Sequence, residues 1–290
     1  MVETFQSEIA LVGFGEAGQA FASGWQQDTK RHIISFDLRA NTPALEGAAS
    51  QIGVDLLQDA SSAVSQADAV FCLVTADRAL VAAQSAAQHL KRGALWIDGN
   101  SCSPATKRRA ADVIAAAGGR YVDLAIMAPV HPHRHRTPAL LAGPHAARAM
   151  IELATLNMNW RFAGPNLGDA SFIKMLRSVM IKGFEALTAE CLLAARRAGV
   201  EDQVFTSLQA SDPGWDWRER GAYNLERMML HGDRRAAEMR EVAATLRDLG
   251  LPNRMALATA LWQSQIADLN LSGGTADFAD RADRILDKMP

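Results

Sequence analysis

The sequence predicts an α/β N-terminal domain with a doubly wound, mostly parallel sheet over residues 1–164, and an all-α domain over residues 165–290 that opens with a long interdomain helix. Three observations predict it. Short apolar runs alternate with alanine-rich helical stretches through the first half. A glycine-rich turn joins the first apolar run to the first helix. After the breaker cluster Gly164-Pro165-Asn166, with Gly168 close behind, no convincing strand remains.

In order, Ile9 to Val12 reads as a buried strand and Ala17 to about Gln27 as a helix. His32 to Phe36 is the next strand and ends at Asp37. The clearest later strands are Ala69 to Val74, Ala94 to Ile97 and Tyr121 to Ile126, with helices at Ala79 to Leu90 and Pro104 to Ala117 between them. Asp169 to Ala198 has helical periodicity and no proline, and would span roughly 45 Å as one helix. Further helical segments follow, with breaks near Asp212-Pro213-Gly214, Gly232, Leu251-Pro252 and Ser272-Gly273-Gly274.

The composition is that of a globular chain: 290 residues, 49% hydrophobic, 21% charged, net charge -2. No global charge attracts nucleic acid or an anionic membrane. Cys72, Cys102 and Cys191 are too scattered for a disulfide framework or a zinc site and suit a reducing cytoplasm. The N-terminal segment has acidic residues, no basic leader and only a short apolar run, so neither a signal peptide nor a membrane span is expected.

Gly13-Phe14-Gly15-Glu16-Ala17-Gly18 fits G-x-G-x-x-G between a strand and a helix, the context that a dinucleotide-binding Rossmann unit requires. Gly13 permits the tight turn, Gly15 clears space for a pyrophosphate, and Gly18 lets the helix approach the sheet. The helix N-terminus adds unpaired N–H groups and a positive dipole end. Asp37 suits the adenosine ribose hydroxyls and repels a 2′-phosphate, which favours NAD, while Arg39 leaves NADP open. Val74 and Thr75, at the end of a later strand, complete the expected cofactor set.

Three further segments then line up: Asp98-Gly99-Asn100-Ser101-Cys102-Ser103-Pro104, the stretch from Asp123 to Pro129, and Gly168 to Lys182. With the glycine turn, they resemble the β-hydroxyacid dehydrogenase family, which includes 3-hydroxyisobutyrate and 6-phosphogluconate dehydrogenases. The C-terminal half resembles a branch with a phosphogluconate-dehydrogenase-like domain. The resemblance implies that Asn100 and Ser101 contact substrate and lie near the nicotinamide. The residue reading alone also allows a helix cap, with Ser103 before Pro104. The resemblance further implies that Lys174, six residues after Gly168, is the catalytic lysine. Four residues on, where the family has asparagine, this chain has Ser178.

Lys174, Ser178, Lys182 and Glu185 share one helical face, either an active-site wall or a solvated stripe. The chemistry the resemblance implies is oxidation of a hydroxyl near a carboxylate on a small anionic substrate, with Lys174 as base or proton relay and decarboxylation as an open sequel. Burial and nearby positive charge favour the neutral amine this needs. Lys182 and His231 are further substrate candidates, His231 with Arg234 because that region lies near the cleft in related chains. Read as residues alone, His231-Gly232-Asp233-Arg234-Arg235 is a charged run at a helix start or break.

Two segments depart from the family. Met127-Ala128-Pro129 replaces the usual Ser-Gly-Gly carboxylate clamp. Val130 to Arg136 is rich in histidine and arginine, and reads as an anion-binding loop or solvated turn rather than a metal site, since arginines repel cations. Trp215, Trp217 and Tyr223, with Met228, Met229 and Met239, read as core or interface. Imine reductases share this fold but typically lack the lysine. A non-catalytic dinucleotide sensor is the third reading. The long helix suggests a homodimer.

Overall fold

The structure, a computed structural model, describes residues 8–289. Part of the N-terminal segment weighed above lies outside the described residues. The chain divides into two compact units between Met175 and Leu176. The sequence placed this division at residue 164. The difference arises because the start of the long helix packs with the sheet: Ser171 is bonded to Asp123 and Lys174 to Ser101.

The first unit runs β1 (Ile9–Val12), α1 (Glu16–Thr29), β2 (Ile33–Phe36), α2 (Pro43–Ile52), β3 (Asp55–Leu57), α3 (Ala60–Val64), β4 (Ala69–Cys72), α4 (Ala79–Ala87), β5 (Leu95–Asp98), α5 (Pro104–Ala116), β6 (Arg120–Ile126), β7 (Ala139–Ala142), α6 (Ala146–Thr155) and β8 (Trp160–Gly164). The eight strands form one sheet in the order β3-β2-β1-β4-β5-β6-β7-β8. Neighbours from β3 to β6 are parallel; β7 is antiparallel to β6, and β8 parallel to β7. The sheet is therefore mostly parallel. Between β1 and β4 the strand order reverses, which opens a ligand crevice at the strands' carboxyl ends.

Both faces of the sheet are covered, which is why its strands read as unbroken apolar runs. In β1, Ile9 and Leu11 enter one core with Phe21 and Trp25, while Ala10 and Val12 enter the other with Val70 and Trp96. The sequence reading missed β3, β7 and β8. The four residues of β7, Ala-Leu-Leu-Ala, have no β-branched side chain and carry no strand signature of their own. Their pairing with β6 and β8 decides the conformation.

Helix α7 (Asp169–Ala198) has the predicted bounds. The second unit continues with α8 (Glu201–Ser211), α9 (Trp217–Asp248), α10 (Arg254–Ala267) and α11 (Phe278–Leu286). Met228, Met229 and Met239 are buried as expected, whereas Trp215 and Tyr223 are exposed. The expected break at Gly232 is absent, because Gly232 lies inside α9. A Cβ there would stand 2.4 Å from the Gln263 carbonyl oxygen and 2.8 Å from Ala267 Cβ. The glycine is a contact point for α10, not a helix end.

Among the described residues no helix is long and apolar enough to cross a membrane.

Candidate cofactor and catalytic site

The glycine turn sits where β1 ends. Gly13 holds φ +102, and a Cβ on it would stand 2.5 Å from the Leu73 carbonyl oxygen. Its N–H donates to Phe36 O at 2.8 Å, tying the turn to β2. A Cβ on Gly18 would stand 2.3 Å from Gly13 O, so α1 can lie against the turn only without a side chain. A Cβ on Gly15, in contrast, would meet nothing within 4 Å. Gly15 is also the cap of α1 and supplies no side-chain bond to the helix N-terminus. An open approach over helix-end N–H donors, with a positive dipole end, is the donor set that a pyrophosphate requires. Phe14, Glu16 and Ala17 belong to the same turn. Phe14 is buried in the core, Glu16 is exposed and Ala17 is partly buried.

Asp37 follows β2, with its side chain mostly buried. Its Oδ2 accepts the Phe14 N–H at 2.9 Å, and its Oδ1 accepts the Arg39 N–H at 2.9 Å. The carboxylate is thus held beside the glycine turn, where a ribose would lie. The Arg39 side chain is exposed, with Nε 3.6 Å from Asp37 Oδ1.

The exits of β4 and β5 are pinned together by Asn100. Its Oδ1 accepts the Val74 N–H at 2.7 Å, and its Nδ2 donates to Cys72 Sγ at 3.2 Å. Burial, then the nearby Asp98 carboxylate, push the Cys72 thiol well above its ordinary range, so the sulfur is a protonated, neutral partner. With 3% of its surface exposed, Asn100 positions this edge of the crevice. Thr75, next to Val74, is exposed at the same edge. One residue beyond Asn100, the half-buried Ser101 accepts a hydrogen bond from Lys174 Nζ at 2.5 Å. The hydroxyl and amine to which the family resemblance pointed, 73 positions apart, therefore meet in the first unit.

Beneath that pair lies a group the sequence reading missed. Lys107 of α5 is fully buried, with Nζ 3.0 Å from Asp98 Oδ1 and 3.3 Å from Asp123 Oδ1. Tyr121 donates to Asp98 Oδ2 at 2.6 Å. Burial alone would lower the Lys107 pKa; Asp98 and then Asp123 more than offset this and hold it above the ordinary lysine value. Burial, followed by Asp98, holds Tyr121 protonated. The missed signal was a set of charges at positions that must be core: Asp98 and Asp123 each lie in an apolar strand, and Lys107 on the inward face of α5.

In the second unit, Ser178 and Lys182 of α7 are buried together. Lys182 Nζ donates to Ser178 Oγ at 3.2 Å and lies 2.8 Å from Glu238 Oε2. Glu185 is paired with Arg235 and accepts Gln263 Nε2 at 2.9 Å. The polar stripe from Ser178 to Glu185 is therefore a buried, charge-paired network and not a solvated face. His231, inside α9, borders an open cavity of about 480 Å³ with Arg234, Asn270 and Ser272.

The loop from His131 to Arg136 is anchored in the first unit. Arg136 donates two hydrogen bonds to Asp28 Oδ2, at 3.0 and 2.6 Å, and buried His135 has Nε2 2.9 Å from the same oxygen. Only a glycine at position 24 leaves room for this ring, because a Cβ there would stand 1.9 Å from His135 Nδ1. His131 and His133 are exposed. Among the described residues, no group of three or more His, Cys, Asp or Glu side chains is placed to hold a metal ion.

A family model described as the NAD binding domain of 6-phosphogluconate dehydrogenase matches residues 8–152. The chain belongs to the β-hydroxyacid dehydrogenase family. Its NAD-binding domain, residues 8–152, lies within the first unit built above. Residues 195–266 match a domain of unknown function, DUF1932, which is the C-terminal domain of 3-hydroxyisobutyrate dehydrogenase-like members. A conserved hypothetical protein from Sinorhizobium meliloti 1021 is 37% identical, with 99% of this chain and 98% of that one covered and a TM-score of 0.72. The fold is also that of Mycobacterium tuberculosis 3-hydroxyisobutyrate dehydrogenase, solved with L-serine (15% identity, 98% and 99% covered, TM-score 0.73). An imine reductase from Myxococcus stipitatus, in complex with NAD+, shares the fold more distantly (19% identity, 97% and 100% covered, TM-score 0.57).

Proposed function

We propose that this β-hydroxyacid dehydrogenase family member oxidises the hydroxyl of a small anionic β-hydroxy acid, sugar-acid-like or a simple hydroxycarboxylate, with Lys174 as the base. The observation that supports this reading is the 2.5 Å contact between Lys174 Nζ and Ser101 Oγ, one residue from the side chain that holds the Val74 backbone. A nicotinamide dinucleotide, when bound, would supply the hydride acceptor. Gly15 and the start of α1 would hold its pyrophosphate and Asp37 its adenosine ribose, a pairing that favours NAD over NADP. Ser101 orients the substrate hydroxyl. Neutral Lys174 takes the hydroxyl proton as the carbinol carbon becomes a carbonyl, and in the reverse direction the ammonium returns it.

Asn100 acts through Val74, as a positioning residue. Ser178, Lys182 and His231 are assigned to the substrate; the Lys182 charge is already met by Glu238, so its role is to orient the Ser178 hydroxyl. Cys72, Cys102 and Cys191 form no disulfide among the described residues, which suits a cytoplasmic setting. Met180 and Leu261, 73% and 71% exposed on α7 and α10, suit burial between two copies, so we assign a homodimer.

The imine reductase reading draws on the shared fold, and Lys174 argues against it. The test is a screen of hydroxy acids and cyclic imines with NAD and NADP, followed by reduced-cofactor absorbance. Turnover of a β-hydroxy acid with NAD is expected. Turnover of imines alone, or cofactor binding with no turnover, overturns the proposal in favour of a reductase or a sensor.

A further inference from the structure

The proposed chemistry requires Ser101 and Lys174 to stay together, yet they come from different elements. Ser101 lies on the loop that leaves β5, and Lys174 on the second turn of α7. Neither is held by a rigid backbone link to the other. What joins their supports is the buried charge cluster on the paired interior strands β5 and β6.

On the loop side, Asp98 Oδ1 accepts the Asn100 N–H at 2.8 Å, which fixes the start of the 99–103 turn. On the helix side, Asp123 accepts both the N–H and the hydroxyl of Ser171, at 3.0 and 2.7 Å. Ser171 lies in the first turn of α7, so the carboxylate also meets the positive end of that helix. Lys107 bridges the two sides. Its ammonium reaches Asp98 Oδ1 and Asp123 Oδ1 and donates to the Asp98 carbonyl oxygen at 2.6 Å. Lys107, Asp98 and Asp123 have no exposed surface.

Energetics make such a cluster a poor way to gain stability alone. Two carboxylates and an ammonium out of water cost more than an apolar core of the same volume. Their value lies in geometry: each carboxylate has one oxygen on Lys107 and a bond to the backbone of one catalytic support. We propose that Lys107 is a positioning residue, a clamp that holds the Ser101 loop against the first turn of α7 and so keeps Lys174 Nζ on Ser101 Oγ. This rests on the assignment of Lys174 as the base, but its test needs no substrate.

The experiment is competitive acylation of lysines in the full-length protein, quantified peptide by peptide by mass spectrometry. Wild type is compared with Lys107→Met, Asp123→Asn and Ser171→Ala, each also followed by thermal unfolding and by NAD titration. The exposed Lys91 and Lys288 serve as internal references. If the clamp holds Lys174, its labelling rate relative to these references rises roughly tenfold in Lys107→Met or Asp123→Asn and severalfold in Ser171→Ala, with NAD affinity retained. Ser171→Ala removes one hydroxyl and leaves the backbone bond to Asp123, so it gives a folded variant even if Lys107→Met does not fold. Labelling of Lys174 at the wild-type rate in Ser171→Ala and in Asp123→Asn, whatever happens to the melting temperature, overturns the proposal and leaves Lys107 a core residue. Failure of the dehydrogenase reading is separate: the wild type would then turn over no hydroxy acid, whatever the labelling shows.

Discussion

Asp37 has two tasks, and they can be separated. It accepts the backbone N–H groups of Phe14 and Arg39, and in the proposed cofactor site its negative charge would face the adenosine ribose. Asp37→Ala loses the tether for either cofactor but loses the charge repulsion only for NADP. The ratio of NAD to NADP dissociation constants is therefore expected to shift toward NADP by at least about tenfold, with the exposed Arg39 free to pair with the phosphate. Fluorescence titration measures it, and an unchanged ratio would remove Asp37 from cofactor choice. At His135, burial lowers the pKa below its ordinary 6.5, against the raising effect of Asp28. The folded state thus resists a proton that the unfolded chain accepts, so stability is full above that ordinary value and falls as pH drops through it. Asp28 has its pKa lowered: burial would raise it, but Arg136 and His135 outweigh that, so its contribution is lost only further into acid. Thermal unfolding from about pH 7 to about pH 5 is expected to show a falling melting temperature, and His135→Gln a flatter profile.

At the scale of elements, the sequence revealed what local chemistry determines. The glycine turn with β1 and α1 was legible because each glycine has a separate steric demand, and α7 because thirty residues pass without a proline. Asn100, Ser101 and Lys174 came from a resemblance and not from any pattern in the residues themselves. What stayed hidden depends on partners distant in sequence. β7 is a strand through its neighbours, and Lys107 is buried because two carboxylates from other strands meet it. Gly232 looked like a break because glycine has poor helix propensity; the propensity is overridden by the packing of α10. That gives a test of opposite signs. Gly232→Ala in a free helix would stabilise by about 1 kcal/mol. Here the added methyl meets a backbone oxygen, so a net loss of about 1–3 kcal/mol is expected in denaturant unfolding. A gain in stability would refute the contact.

At the scale of the molecule, each of the two units buries paired charge. The first buries Lys107 with Asp98 and Asp123 beneath the crevice, while the second buries Lys182 with Glu238 and Arg235 with Glu185. Such networks specify geometry more than they add stability. The proposed chemistry turns on Lys174. The most direct measurement is kcat and the NAD dissociation constant for wild type and Lys174→Ala on whichever β-hydroxy acid the screen identifies. A fall in kcat of about 10²–10⁴-fold with NAD binding unchanged is expected if the lysine moves a proton and does not hold the cofactor. Turnover within a few-fold of wild type would contradict it.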